Sequence, residues 1–293
     1  SAASDVYKRQ FVLGAVDNPN ARRINKKPMP TIGGLAIFVA FNIGEFVLLR
    51  KDFPTHELFS VLLASSVIIL TGLIDDILEL KPRQKMFGIF IASLVVYFLA
   101  GIKVRELSLP LLGHLQLGWW SFPLTIFWIL ALTNAVNLID GLDGLATGVT
   151  LISLVTMGIV GFFFLKSWQH YVPIMCIMLA ACLLGFLPYN FHPAKIFLGD
   201  TGALYIGFMI SVFSLKGLKN VTFVSLLVPI LILGVPITDT VYAMIRRKLN
   251  KKNISQADKH HLHHQLMRMG LTHRQTVLAI YGISLIFSFV SLL

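Results

Sequence analysis

The sequence predicts an all-α, polytopic membrane protein: a bundle of about nine transmembrane helices. Three observations predict it. Of the 293 residues, 56% are hydrophobic and only 13% charged, about half the charged share of an ordinary soluble domain, and the mean hydropathy is +0.76. Nine apolar stretches follow one another, at 33–49, 57–74, 86–102, 120–137, 145–165, 171–187, 202–216, 221–245 and 275–293, each near the ~20 residues that cross a bilayer as a helix. The loops between them differ in charge by side. One side carries Arg22, Arg23, Lys26, Lys27, Lys81, Arg83, Lys85, Lys195 and the basic run from Arg246 to Lys252. The other carries Arg50, Lys51, Lys103, Arg105, Lys166, Lys216 and Lys219. By the positive-inside rule the first side is cytoplasmic. The net charge of +11 is therefore read as topology, and no nucleic-acid partner is expected.

The acids follow the same alternation. Asp75 and Asp76 close the second stretch, Asp140 and Asp143 follow the fourth, and Asp200 precedes the seventh. Two crossings separate each cluster from the next, so all five carboxylates face the basic side. That combination suits a metal ion and an anionic substrate.

Along the chain, Asn42 and Glu45 lie inside the first stretch, three residues apart, and read as an interhelical hydrogen-bonding pair. The segment Gly72–Lys85 places two adjacent carboxylates at a helix end. They serve either a magnesium ion, which takes carboxylate and phosphate oxygens, or local pairs with Lys81 or Arg83. Asn137, Asp140 and Asp143 are spaced by three and share a face if helical. Gly141 and Gly144 between them allow close backbone approach. The alternative is a turn rich in Asn, Asp and Gly. In Pro188–Gly202, Asp200 stands at a helix start, either as a simple N-cap or as part of a site with Asn190, Lys195 and Phe197, where free N–H groups would also receive phosphate. The run Asp258–Gly270 holds His260, His261, His263 and His264 with Arg268. It reads as an anion clamp, a metal site or a solvated loop. Asp239 reads as a brace for its own helix end. Cys176 and Cys182 lack ligand spacing and read as packing residues.

At the ends, Ser1–Gln10 includes Asp5-Val-Tyr-Lys-Arg-Gln10, which reads as translated sequencing adapter rather than native protein. The expectation is one transmembrane transferase domain over 11–293, truncated at its N-terminus and at its C-terminus, a fragment of a ten- or eleven-helix fold.

Five stretches in order, Pro28–Gly34, Asp75–Asp76, Asn134–Leu145, Phe197–Gly202 and the His-rich run, resemble the polyprenyl-phosphate N-acetylhexosamine-1-phosphate transferases, the MraY, WecA and TagO group. The resemblance covers nearly everything from Asp17 onward. It implies transfer of a sugar-1-phosphate from a UDP-sugar to a lipid phosphate with release of UMP. It also implies roles. Asp200 matches the magnesium-binding acid, with Asp75 and Asp76 as the pair that binds metal and deprotonates the acceptor. Manganese is the alternative ion. Asp143, Asn190 and Phe197 match the uridine site, and Asn137 and Asp140 line the same pocket. His261, His263 and His264 match the loop on the pyrophosphate, to which Lys85 and Arg268 add positive charge. The run His-Leu-His-His-Gln-Leu-Met-Arg-Met-Gly from His261 resembles the TagO and WecA branch, implying UDP-N-acetylglucosamine as donor and undecaprenyl phosphate as acceptor. The implied enzyme lies in the bacterial plasma membrane with its site on the cytoplasmic face, and starts an envelope glycan such as teichoic acid or lipopolysaccharide. Its oligomeric state stays open between monomer and homodimer. Two alternatives remain: another UDP-N-acetylhexosamine donor, including UDP-MurNAc-pentapeptide, or a transporter of an anionic solute.

Overall fold

The computed structural model describes residues 16–17, 29–49, 55–109, 113–164, 171–217, 234 and 262–292. The described elements are nine α-helices, a 3-10 turn at Gly118–Trp120 and two short antiparallel ribbons. The helices are α1 (Gly33–Leu49), α2 (Thr55–Leu78), α3 (Pro82–Phe98), α4 (Ser121–Ile139), α5 (Leu145–Phe164), α6 (Tyr171–Asn190), α7 (Gly199–Gly217), α8 (Leu262–Arg268) and α9 (His273–Leu292). In one ribbon β1 (Val16–Asp17) pairs with β2 (Met29–Pro30), and in the other β3 (Glu106–Leu109) pairs with β4 (Gly113–Gln116). Five segments are long and apolar enough to cross a membrane: Thr55–Leu78, Gly118–Ile139, Leu145–Phe163, Tyr171–Asn190 and His273–Ser291. The chain is a multi-pass helical membrane protein. Apart from Gly234, the predicted stretch at 221–245 lies outside the described residues, as do the adapter-like Ser1–Gln10, His260, His261 and Asp239.

Helix α7 is the axis. Ala203 through Lys216 are all buried, with Tyr205 and Phe208 at 0% exposure, and α4, α2 and α1 pack around it. The outer helices instead show apolar side chains on their far faces, such as Leu63 and Leu70 on α2 or Leu285, Ile286 and Phe289 on α9. A lipid solvent requires that arrangement, because apolar residues cover the outside while helices satisfy their own backbone groups. Trp119 and Trp120, highly exposed just before α4, suit the membrane–water boundary.

Three differences from the sequence reading have local causes. Helix α2 runs to Leu78, past the acid pair, because partners from other elements satisfy both carboxylates. Helix α3 begins at Pro82 because proline is suited to the first helical position, and Gln84 Oε1 accepts the N–H of Lys81 at 3.0 Å. The loop 103–118 contains the β3–β4 ribbon, whose short strands do not stand out beside transmembrane stretches. The interhelical reading of Asn42 is met in part: Nδ2 donates to Phe38 O of the same helix at 2.7 Å, and the side chain also meets Tyr205 of α7.

Glycines set the spacing at one end of the bundle. A Cβ on Gly34 would lie 2.1 Å from the backbone nitrogen of Gly202, and one on Gly72 would lie 2.4 Å from Thr201 Cα. The backbones of α1 and α2 therefore touch the first turn of α7. The Pro30–Gly34 segment is also stitched to the strand of chain before α7: Phe197 N donates to Pro30 O at 2.9 Å, Gly33 N to Phe197 O at 3.2 Å, and Gly34 N to Leu198 O at 3.1 Å.

Candidate active site

Four helix ends meet where α7 begins. Lys85, in the first turns of α3, places its ammonium between Asp75 of α2 and Asp200 of α7. It forms an ion pair with Asp75 Oδ2 and donates to Asp200 Oδ1 at 2.8 Å and to Asn137 Oδ1, from α4, at 3.3 Å. Asn137 Nδ2 in turn donates to Asp200 Oδ1 at 2.5 Å. Asp75 therefore pairs with Lys85, not with Lys81 or Arg83. Its other oxygen accepts the N–H of Leu80 at 2.8 Å. That bond holds the turn in which Glu79 takes a left-handed φ of 49°, a usual way to end a helix.

The adjacent Asp76 is differently employed. Its Oδ1 accepts the backbone N–H of Asp200 at 2.8 Å, and its Oδ2 accepts from Thr201 N at 3.1 Å and Thr201 Oγ1 at 2.6 Å. A carboxylate from α2 thus caps α7, meeting N–H groups that have no partner inside their own helix. These three bonds use most of the about four acceptor positions of a carboxylate. Asp200 itself keeps 35% of its side chain exposed, so one carboxylate of the cluster faces outward.

Asp140 ends α4 and is half-buried. Burial first, then the neighbouring Asp200, Asp76 and Asp143, push its carboxyl well above the usual carboxylate range. The cluster is over-supplied with negative charge relative to Lys85. All the donor atoms are hard oxygens, the type magnesium takes together with phosphate and water. The residues therefore fit such an ion: Asp75 and Asp200 already converge on one positive charge, the Lys85 ammonium.

The remaining predicted residues lie on α6, α8 and the loops before α5 and α7. His263 is buried at 4% exposure, and a Cβ on Gly141 would lie 2.9 Å from its Nε2, so the short helix α8 docks on the Asp140–Gly144 turn. His264 lies beside it, ring centroids 4.2 Å apart, and Arg268 stands exposed at the helix end. Asn190 is buried, with Oδ1 accepting from Thr147 Oγ1 at 2.7 Å and Nδ2 donating to Ile196 O at 3.0 Å. It braces the loop that carries Phe197. Asp143 Oδ2 meets His192 Nδ1 at 2.8 Å and the N–H of Ala194 at 3.2 Å. Thr147, His192 and His273 were not singled out by sequence reasoning, and Thr201 was read only as part of the first turn after Asp200. The signal available for His192 was its place inside a polar, proline-bounded loop; the hydroxyls gave none.

Two carboxylates joined by one lysine and an asparagine, where four membrane helix ends meet, form the polar centre of the bundle. The comparisons place the chain more closely. The profile of Glycosyl transferase family 4 matches residues 58–218, and the chain belongs to that family, within the MraY, WecA and TagO group. It is 45% identical, over 94% of its length and 76% of the relative's, to the probable undecaprenyl-phosphate N-acetylglucosaminyl 1-phosphate transferase of Bacillus subtilis (strain 168). Its identity with the decaprenyl-phosphate N-acetylglucosaminephosphotransferase of Mycobacterium tuberculosis (strain CDC 1551 / Oshkosh) is 34%, over 92% of the chain and 73% of that relative. With the phospho-N-acetylmuramoyl-pentapeptide-transferase of Clostridium botulinum (strain Eklund 17B / Type B) it is also 34%, over 84% of the chain and 76% of the relative.

Proposed function

We propose that the protein transfers N-acetylglucosamine-1-phosphate from UDP-N-acetylglucosamine to undecaprenyl phosphate and releases UMP, at the cytoplasmic face of a bacterial plasma membrane, as the first membrane step of an envelope glycan. The observation that carries this reading is the Asp75–Lys85–Asp200–Asn137 centre, where four helix ends collect acids around one cation. The donor follows from the B. subtilis and M. tuberculosis relatives, whose names both specify N-acetylglucosamine and a polyprenyl phosphate. The C. botulinum relative supports a second reading, the same chemistry on UDP-MurNAc-pentapeptide.

In the reaction, an oxygen of the lipid phosphate forms a bond to the β-phosphorus of the donor, the bond from that phosphorus to the bridging oxygen breaks, and UMP leaves with the electron pair. The acceptor's second pKa is near 6, so at neutral pH it needs little help to lose a proton. The difficulty is bringing two anions together, a repulsion of several kcal/mol at an effective dielectric of about 20. Magnesium, when bound by Asp200 and Asp75, with Asp76 beside them, supplies the charge that offsets this and stabilises the leaving phosphate. Lys85 holds the two carboxylates at a common point and adds its own charge. Asn137 orients Asp200. His263, His264 and His261 donate to the diphosphate with Arg268, Phe197 stacks on the base, Asp143 holds the uridine, and Asn190, bonded to Thr147 and Ile196, keeps the loop that carries Phe197 in shape. Asp76 spends its oxygens on the start of α7, which argues for direct attack over a covalent aspartyl route.

Release of UMP by the detergent-purified full-length protein tests the proposal. Release that requires UDP-N-acetylglucosamine, undecaprenyl phosphate and magnesium together supports it. Release without lipid phosphate, or only with UDP-MurNAc-pentapeptide, overturns the first reading, and the latter result establishes the second.

A further inference from the structure

Two elements that the reaction centre does not require meet beside Asp143. His192, in the loop between α6 and α7, points Nδ1 at Asp143 Oδ2, 2.8 Å away, and the N–H of Ala194 in the same loop reaches the same oxygen at 3.2 Å. His273, the first residue of α9, stacks its ring on His192 with centroids 4.1 Å apart and planes at 17°, beside the Asp143 backbone. The next residue, Arg274, donates Nε to His192 O at 3.1 Å. The histidine is thus held from both its ring and its backbone.

Asp143, His192 and His273 bring one ligand atom each within 4.8 Å of one another, which suggests a cation site. The ring geometry opposes it. A metal binds imidazole in the ring plane, and two nearly parallel stacked rings aim their in-plane lone pairs side by side, not at a common point. The arrangement instead suits orientation of a carboxylate. Oδ2 is taken by two donors; among the described residues Oδ1 is left for a donor from outside, and the side chain keeps 19% of its surface exposed.

We infer that His192 is a positioning residue for nucleotide recognition: it fixes the Asp143 carboxylate so that Oδ1 accepts an N–H from the pyrimidine base of the donor, and His273 holds His192 in place by stacking. This rests on the reading that Asp143 holds the donor's uridine. The chemistry selects a base edge with an imide N–H, which uracil presents and cytosine does not.

Steady-state kinetics of the full-length protein test it, with UDP-N-acetylglucosamine varied and UMP as product inhibitor. Loss of a hydrogen bond that orients a charged group raises KM for the nucleotide sugar about 10-fold in H192A. The UMP inhibition constant rises in parallel, while kcat and the KM for lipid phosphate stay within about 2-fold. His192→Asn, whose side-chain N–H occupies the place of Nδ1, restores most of the affinity. A structural role would lower the melting temperature and the amount of active protein without this split or this rescue. D143A alone raises KM and UMP inhibition constant as well, and D143A/H192A is no worse than D143A, because His192 acts through Asp143. Wild-type nucleotide affinity in H192A with an impaired D143A overturns the role of His192 alone. Wild-type affinity in D143A overturns the uridine reading and this inference with it. Additive losses in the double variant, or H192N no better than H192A, also overturn it.

Discussion

Helix α7 carries buried charge at both ends, and the two ends are built differently. At its start, Asp200 and Asp75 flank Lys85 and Asp76 caps the helix, with Asp200 35% exposed. At its end, Lys216 is 4% exposed and forms an ion pair with Glu57 of α2, its ammonium lying 4.9 Å from the centre of the Tyr171 ring, with buried Glu45 of α1 close by. Both ends bind α7 to its neighbours through charges of opposite sign. The difference lies in access and balance. The Lys216 end is sealed by an aromatic face, so its ion pair has nothing to do but hold helices. At the Asp200 end the acids outnumber the lysine placed among them and one carboxylate is partly exposed, which suits the proposed metal and nucleotide site. Charge in a membrane protein marks function by default; here exposure and surplus separate the site from the fastener.

The largest effect separates the two ends by activity. Asp200→Asn keeps shape and hydrogen bonding but removes the outward negative charge. Turnover should fall by at least about 10²–10³, with a melting temperature close to that of the parent. UMP release alongside a thermal melt reads both. Near-parental turnover in D200N would sink the assignment of the acidic end as the site.

At the other end the effect should reverse. Lys216→Met leaves Glu57 without its partner, and breaking a buried pair costs about 3–5 kcal/mol. K216M should therefore melt far lower and yield less folded protein, while the folded fraction retains kcat. Replacing both members, K216M with E57L, should recover much of the loss, because an apolar pair of similar volume suits the interior. A K216M protein of normal stability and poor kcat would make this end part of the machinery.

Smaller again is the effect of spacing. Gly72→Ala drives a methyl to within 2.4 Å of Thr201 Cα, and neither backbone can yield without moving the cap that Asp76 places on α7. Overpacking of this kind costs about 1–3 kcal/mol. Because α7 shifts with Asp200 on it, kcat should drop as well as stability. G72A with reduced melting temperature and unchanged kcat would show that the acidic end tolerates displacement of α7.

How much of this was legible in the sequence follows from what each feature depends on. The membrane helices depend on long apolar runs, which a single pass along the chain finds. The gathering of Asp75, Asn137 and Asp200 depends on the parity of crossings, which is equally local to read. The division of labour between Asp75 and Asp76 was not legible: neighbours in sequence, they point to different partners, Lys85 and the start of α7, and only the packing of four helices decides which meets which. The same holds for Lys216 and Glu57, which sit far apart in the chain and look like two ordinary loop-end charges, and for His192 and His273, which lie on separate elements. The β3–β4 ribbon was missed because its alternation spans only four residues per strand.

The smallest expected effect tests how rigidly the loop after α4 must be held. Tyr281 of α9 donates its hydroxyl to Gly144 O, at the glycine whose φ of 79° turns the chain from Asp143 into α5. The ring fits against Gly148, where an added Cβ would lie 2.0 Å from the tyrosine oxygen. Tyr281→Phe keeps the ring and deletes only this bond, leaving one carbonyl less satisfied, at a cost of about 1 kcal/mol. The melting temperature should fall slightly. If the Asp140–Gly144 turn is pinned chiefly by this contact, the nucleotide affinity should loosen with it. Since His263 on Gly141 and His192 on Asp143 hold the same turn from two other sides, the expected outcome is a small loss of stability with unchanged KM. A several-fold rise in KM for the nucleotide sugar in Y281F would mean that the acidic end, like the Lys216 end, depends on one fastener rather than on several.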